Sequence, residues 1–411
     1  MTPAERRLIA YAATAHGLVH VMELTYPALL SRIEDDFGIR AIVTGTIATA
    51  FGWAFGGSAI PAGFLTDRLG SRQVIVYAFA GATVMAALAG LSPNEWFLAA
   101  TLFGLGLSIG LYHPAGLSLM AQGVRQRGLA LGFHGTAGNL GQAMAPALAI
   151  GLAVLVDWRL AFFAVAALSA VMAVVMATTR LYVHEGGEVI EIDAAAEAGD
   201  PAAGSGQAPR EGNRFVVPLM IVYAAFILGG TVYRGAITYL PKHLDTFVND
   251  DFGGAFLTVA LLMGAVGQLV GGSLSQRYAL ERIVPVIGLL TIPALVLTGL
   301  LSGATLVIAS SAFIFLYFAN QPVFTGLIAD YSPPGAVGRS YGMSFFAGFG
   351  LGGTGGVIAG ALVDQWDTRA AFLGLTAFMA VTVALSFALW FLGERRRQEA
   401  PAAEAVAEGT P

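Results

Sequence analysis

"GFLTDRLGSR", residues 63–72, places an Asp and two Arg within ten positions of a chain that is only 11% charged. Long apolar runs flank it, Ala41 to Gly63 before and Val74 to Leu91 after. A charge in the hydrocarbon centre costs at least about 2.5 kcal/mol. Charges gathered in so short a gap therefore mark a turn at the face of a membrane.

The rest of the 411 residues repeats this layout. The chain is 56% hydrophobic with a mean hydropathy of +0.72, beyond the range of an ordinary globular domain. Twelve runs are long enough to cross a hydrocarbon core of about 30 Å as helix. The first six are Leu8 to Leu30, Ala41 to Gly63, Val74 to Leu91, Trp96 to Ala121, Leu129 to Val156 and Leu160 to Leu181. The second six are Phe215 to Leu240, Ala255 to Leu274, Ile283 to Leu301, Thr305 to Ala329, Arg339 to Val363 and Ala370 to Leu392. The expected fold is an all-α integral membrane protein. The charged N-terminus leads into a run holding His16, His20 and Glu23, so it reads as the first span and not as a signal peptide.

Between the two sets lies "HEGGEVIEIDAAAEAGDPAAGSGQAPREGN", residues 184–213, small and acidic, which predicts a mobile linker. The expected division is residues 1–183, a linker at 184–214, residues 215–395 and a tail at 396–411. With both termini cytoplasmic, fifteen of the 21 Lys and Arg fall on the inner side, as the positive-inside rule requires. The expected location is a bacterial inner membrane. The net charge of −5 is carried partly by the linker, and no basic patch suggests nucleic acid. Absence of cysteine removes disulfides and thiolate metal sites.

The halves echo one another at offsets near 210 residues. "GFLTDRLGSR" at Gly63 answers "GSLSQRYALER" at Gly272, "YHPAG" at Tyr112 answers "NQPVF" at Asn320, and "RGLALGFHGTAGNLG" at Arg127 answers "RSYGMSFFAGFGLGG" at Arg339. "DDFG" occurs at Asp35 and again at Asp250. Such internal symmetry is common among transporters. The pattern G-x-L-x-D-R-x-G-x-R resembles the signature loop of the major facilitator superfamily. That resemblance covers Leu8 to Leu392 and implies two pseudo-symmetric six-helix bundles. It also implies a gating loop of Gly63, Asp67, Arg68, Gly70 and Arg72, with Asp67 facing the cytoplasmic start of span eleven near Arg339 and helping to hold the outward-open state. "YHPAG", "FHGTAGNLG" and "GRSYGMSFFAGFGLGG" look most like the fosmidomycin-resistance exporters within that superfamily.

Ionisable residues within spans are candidate functional sites. His16, His20 and Glu23, spaced i, i+4 and i+7, share one helix face. His113 and His134 lie about equally far from the turn near Gly123, at one depth, and Pro114 can kink span four. Arg234, the one basic residue well inside a span, matches His20 by the repeat offset, so Glu23 and Arg234 are expected to meet across the halves. Asn139, Gln142, Tyr233, Tyr239, Asn320 and Gln321 complete the expected cavity lining. The His16–His20 spacing admits a zinc pair, but no further ligands stand out in sequence and no metal is expected. Gly350, Gly352 and Gly355 mimic a dinucleotide fingerprint, but no strand precedes them and close helix packing explains them better.

The expected function is proton-coupled efflux of a small drug-like molecule or metabolite by alternating access. The alternatives are proton-coupled uptake of a small organic anion and a non-transporting membrane sensor. The expected partners are a small-molecule substrate, protons and membrane lipid, acting on a monomer without a cofactor; the protein is not expected to be an enzyme.

Overall fold

The computed structural model describes residues 1–124, 126–179, 182–185, 188–191, 213–249, 253–333 and 336–407. Most of the expected linker, Arg125, Arg180, Arg210 and the second "DDFG" from Asp250 to Phe252 lie outside the described residues.

A capping box starts the first helix, with Thr2 accepting from the Glu5 amide at 3.2 Å and the Thr2 amide donating to the Glu5 carboxylate at 2.6 Å. Helix α1 (Pro3–Ala28) stops just after Pro27, and α2 (Leu30–Phe37) ends on Gly38 in the left-handed conformation, φ 64°. Then follow α3 (Ala41–Leu69), α4 (Ser71–Gly90), α5 (Glu95–Gly110), α6 (Tyr112–Gly123), α7 (Arg127–Leu155) and α8 (Arg159–Thr178). The second half comprises α9 (Asn213–Phe247), α10 (Leu257–Ser275), α11 (Leu280–Leu300), α12 (Gly303–Tyr331), α13 (Val337–Phe345), α14 (Gly355–Gln365) and α15 (Thr368–Ala407).

Four details differ from the sequence expectation. Span four is two helices, α5 and α6, broken at Leu111 three residues before Pro114. Span eleven is α13, a π-helical turn at Phe346–Gly350, a 3₁₀ turn at Leu351–Thr354 and α14. Two strands, β1 (Tyr182–Glu185) paired antiparallel with β2 (Glu188–Glu191), straddle the start of the expected linker. The expected tail is helical to Ala407, continuing α15.

Among the described residues, ten helical segments are long and apolar enough to cross a membrane. The first two of the twelve expected spans, α1 and α3, are 26 and 29 residues long but do not reach that apolarity. His16, His20 and Glu23 lower it in α1, and Gly, Thr and Ser lower it in α3.

Helices α1 to α8 pack largely on one another, as do α9 to α15, and the two groups meet along α3 against α14 and α7 against α10. Glycines permit the first seam. A methyl on Gly45 or Gly56 would overlap the backbone of Gly356 or Gly350, and one on Gly52 would come within 3.2 Å of Gly353. A methyl on Gly352 would lie 2.8 Å from the Gly230 backbone. The glycines of the apparent dinucleotide fingerprint are thus contact points for α3 and α9.

Candidate functional site

The face of α1 predicted by spacing turns inward. His16, His20 and Glu23 are all buried, at 9%, 6% and 1% exposure. The His20 Nδ1 lies 2.5 Å from the Glu23 Oε2, and the Glu23 Oε1 lies 2.7 Å from an Arg234 Nη2 across the halves. The pairing expected from the repeat offset is therefore present. It is an ion pair lacking hydrogen-bond alignment: Glu23 Oε1, Arg234 Nη2 and Arg234 Nε all lack a hydrogen-bond partner among the described residues. The guanidinium also lies 5.1 Å from the Phe349 ring centre and 5.7 Å from that of Phe55, a cation–π setting.

A second layer surrounds His16. Its ring stacks on His134 at 3.9 Å, with Nδ1 2.7 Å from the His134 carbonyl. His113 meets His16 edge-on at 5.2 Å and His20 at 5.4 Å. His113 and His134 do come to one depth, joined through His16 and Tyr112. Tyr112 donates to the Ala12 carbonyl at 2.5 Å and lies 3.1 Å from His134 Nε2. Pro114 sits where the break between α5 and α6 lets Tyr112 and His113 turn inward.

Beside the ion pair is a cavity of about 90 Å³, lined on one side by Gln142 and on the other by residues including Tyr233, Tyr317, Asn320, Gln321 and Phe349. Gln142 Oε1, Tyr233 Oη, Asn320 Oδ1 and Gln321 Oε1 are buried and lack hydrogen-bond partners among the described residues. An unpartnered buried polar atom costs about 1–3 kcal/mol. Four of them belong to residues lining one cavity, whose wall is otherwise largely apolar, with Phe226, Phe318, Phe324 and Met379.

Two expected lining residues lie elsewhere. Asn139 hydrogen-bonds Gln268 in the α7–α10 seam. Tyr239 does not line the cavity: it donates to the Ala41 carbonyl where α9 meets the start of α3. Its displacement of about one and a half turns from Arg234 along α9 carries it toward the membrane face opposite the termini. There it joins a seal in which Lys242 pairs with Glu34. Asp364 accepts from the amides of Ala41 at 2.9 Å and Ile42 at 3.0 Å.

On the side of the termini the halves are apart. Asp67 and Arg339 are both exposed, and no ion pair joins them among the described residues. The two side chains, which the resemblance sets near each other, do not meet among the described residues; nearer the middle of the same helices, Phe55 of α3 still touches Phe345 of span eleven, with ring centres 5.8 Å apart. Arg72 instead donates to the carbonyls of Met176 at 2.8 Å and Ala177 at 2.7 Å at the end of α8.

Sequence reasoning missed several residues. Tyr112, Tyr317 and Phe349 are aromatic residues among many and carry no distinguishing pattern. Lys242 finds its partner Glu34 only through the fold. Buried His243 lies 2.7 Å from Thr368 Oγ1 and 2.9 Å from the Thr298 carbonyl, away from the site; its place near a helix end concealed it.

The sequence model of the Major Facilitator Superfamily matches residues 13–354 and 254–411. An uncharacterized MFS-type transporter, YfnC, of Bacillus subtilis (strain 168) is 26% identical over 91% of this chain and 90% of its own length. A D-galactonate transporter of Escherichia coli O6:H1 is 23% identical over 89% of this chain and 90% of its own. A probable L-galactonate transporter of Escherichia coli K12 is 24% identical over 58% and 54%. Among solved structures, a bacterial homolog of the human lysosomal transporter Spinster, inward-facing and unoccupied, superposes with a TM-score of 0.77. It has 16% identity and covers 95% of this chain and 98% of its own.

Proposed function

The chain belongs to the Major Facilitator Superfamily, and on that premise we propose that this membrane transporter carries a small, hydroxylated organic anion inward together with a proton. The observation that carries the reading is Arg234: a buried cation paired with Glu23, with unaligned donors, beside a cavity edged by unpartnered oxygens.

A substrate carboxylate matches the guanidinium fork. To take it, Arg234 loosens its hold on Glu23. A buried carboxylate without its cation is costly, on the order of 3–5 kcal/mol. Protonation of Glu23, with His20 alongside, removes that cost. Anion and proton therefore favour each other's binding, and a proton gradient biases the cycle. Hydroxyl groups of the substrate would donate to Asn320 and Gln321, whose amide oxygens lack donors. Two of the relatives reported above carry galactonate names, which supports a sugar acid as the substrate class. No relative reported above carries a drug-export name. Export of a drug-like molecule, implied by the likeness to fosmidomycin-resistance proteins, is therefore the weaker reading.

Calorimetric titration of the purified protein with D-galactonate, L-galactonate and small carboxylates tests the site. At least one sugar acid is expected to bind. Arg234→Gln is expected to weaken it about 10–150-fold, the loss of a charge-assisted bond worth about 1.5–3 kcal/mol. Unchanged binding in that variant would overturn the assignment of Arg234, and binding confined to apolar drugs would favour export.

A further inference from the structure

We propose that His16, His20 and His113 form a binding site for a transition-metal dication of the Zn²⁺ class. The proposal does not rest on the anion reading, although His20 touches Glu23 and so joins the two sites. One ring nitrogen from each of the three lies within 4.8 Å of those of the other two, and all three residues are buried.

Ring protons carry the inference. The His16 Nδ1 faces the His134 carbonyl oxygen at 2.7 Å, which can only accept, so that nitrogen bears hydrogen. The His20 Nδ1 faces the Glu23 carboxylate at 2.5 Å, which as the partner of Arg234 also accepts. Gln142 approaches the same nitrogen at 3.3 Å. Turning its amide would point the otherwise unpartnered Oε1 at that N–H. With both Nδ1 atoms protonated, both Nε2 atoms present lone pairs. They face each other at 3.1 Å. Two lone pairs at that distance repel unless a cation lies between them. The third imidazole supplies a further Nε2, buried and without a partner.

This is the arrangement a metal centre uses. Ligating histidines usually donate their second ring N–H to a carboxylate or carbonyl, which fixes the tautomer and raises ligand basicity; His20 and His16 have one of each. Zinc–nitrogen bonds of 2.0–2.1 Å in tetrahedral geometry set nitrogen–nitrogen separations of about 3.3 Å. The His16–His20 pair is already near that spacing, and the His113 nitrogen lies within 4.8 Å of both. Three imidazoles leave a fourth position open. Imidazole ligands without thiolate or further carboxylate suit Zn²⁺, Cu²⁺ or Ni²⁺ over Mg²⁺ or Ca²⁺.

The test uses full-length, tag-free protein purified through a chelator. Equilibrium dialysis should give about one Zn²⁺ per chain, and Co²⁺ should give the visible absorption of a four-coordinate nitrogen site. His113→Gln should weaken Zn²⁺ by at least the 10–100-fold that loss of an outer-shell partner costs and abolish the Co²⁺ band. His243→Gln, remote from the cluster, should leave both intact. Failure of the unaltered protein to take up Zn²⁺ or Co²⁺ would overturn the proposal without any variant and leave a shared proton between His16 and His20. Wild-type binding in His113→Gln would also overturn it.

Discussion

Glu23 and Arg234 hold each other in the interior, and each is a liability without the other. Removing one member of a buried pair destabilises by about 3–5 kcal/mol, while removing both is often nearly neutral. Arg234→Gln is therefore expected to lower the thermal stability of the detergent-solubilised protein strongly, and adding Glu23→Gln should restore most of it. Were the double variant no more stable than Arg234→Gln, the two charges would not be energetically paired. This pair was legible in the sequence. Helical spacing placed Glu23 on the face of His16 and His20, and the repeat offset placed Arg234 opposite. The approach of His113 to that face was legible only in part. Its depth followed from the distance to the turn, but its rotation toward His20 depends on the break at Leu111, which Pro114 signals without fixing its direction.

At the scale of elements, one helix end ties the halves together. The start of α3 is held by Asp364, a carboxylate accepting two free amides at a helix N-terminus, where the macrodipole also favours negative charge. Loss of such a cap costs about 1 kcal/mol, roughly a fivefold change in population. Asp364→Ala should open the seal to that extent. The cysteine-free sequence allows a direct measurement: Thr49→Cys, buried in the α3 seam beside Gly353, should react with an impermeant maleimide about fivefold faster when Asp364 is absent. Equal rates would assign closure to the glycine contacts and the Lys242–Glu34 pair. None of this seal was readable beforehand. An Asp near a loop gives no sign of which helix it caps, and Tyr239 looked like cavity lining because periodicity gives a face without a depth. Likewise, hydropathy located span eleven but not its π-helical and 3₁₀ turns, since Gly-rich apolar sequence has the same composition in either geometry.

Across the whole molecule, the halves are joined on the face opposite the termini and apart near Asp67 and Arg339. With the termini on the cytoplasmic side, as the loop Lys and Arg bias predicts, this is a state open to the cell interior. The twelve-span layout was legible because hydrocarbon thickness dictates span length. The substrate class was not, because it rests on unpartnered oxygens that only the folded cavity brings together. Rocking about the glycine seams would expose the same site to the other face. The central claim is that Glu23 couples that movement to protons. It is tested most directly in proteoliposomes with an imposed pH gradient, by following interior pH as D-galactonate and related sugar acids are added. The unaltered protein should move protons with the substrate, and Glu23→Gln should exchange substrate without proton flux. Equal proton flux in Glu23→Gln would contradict the account.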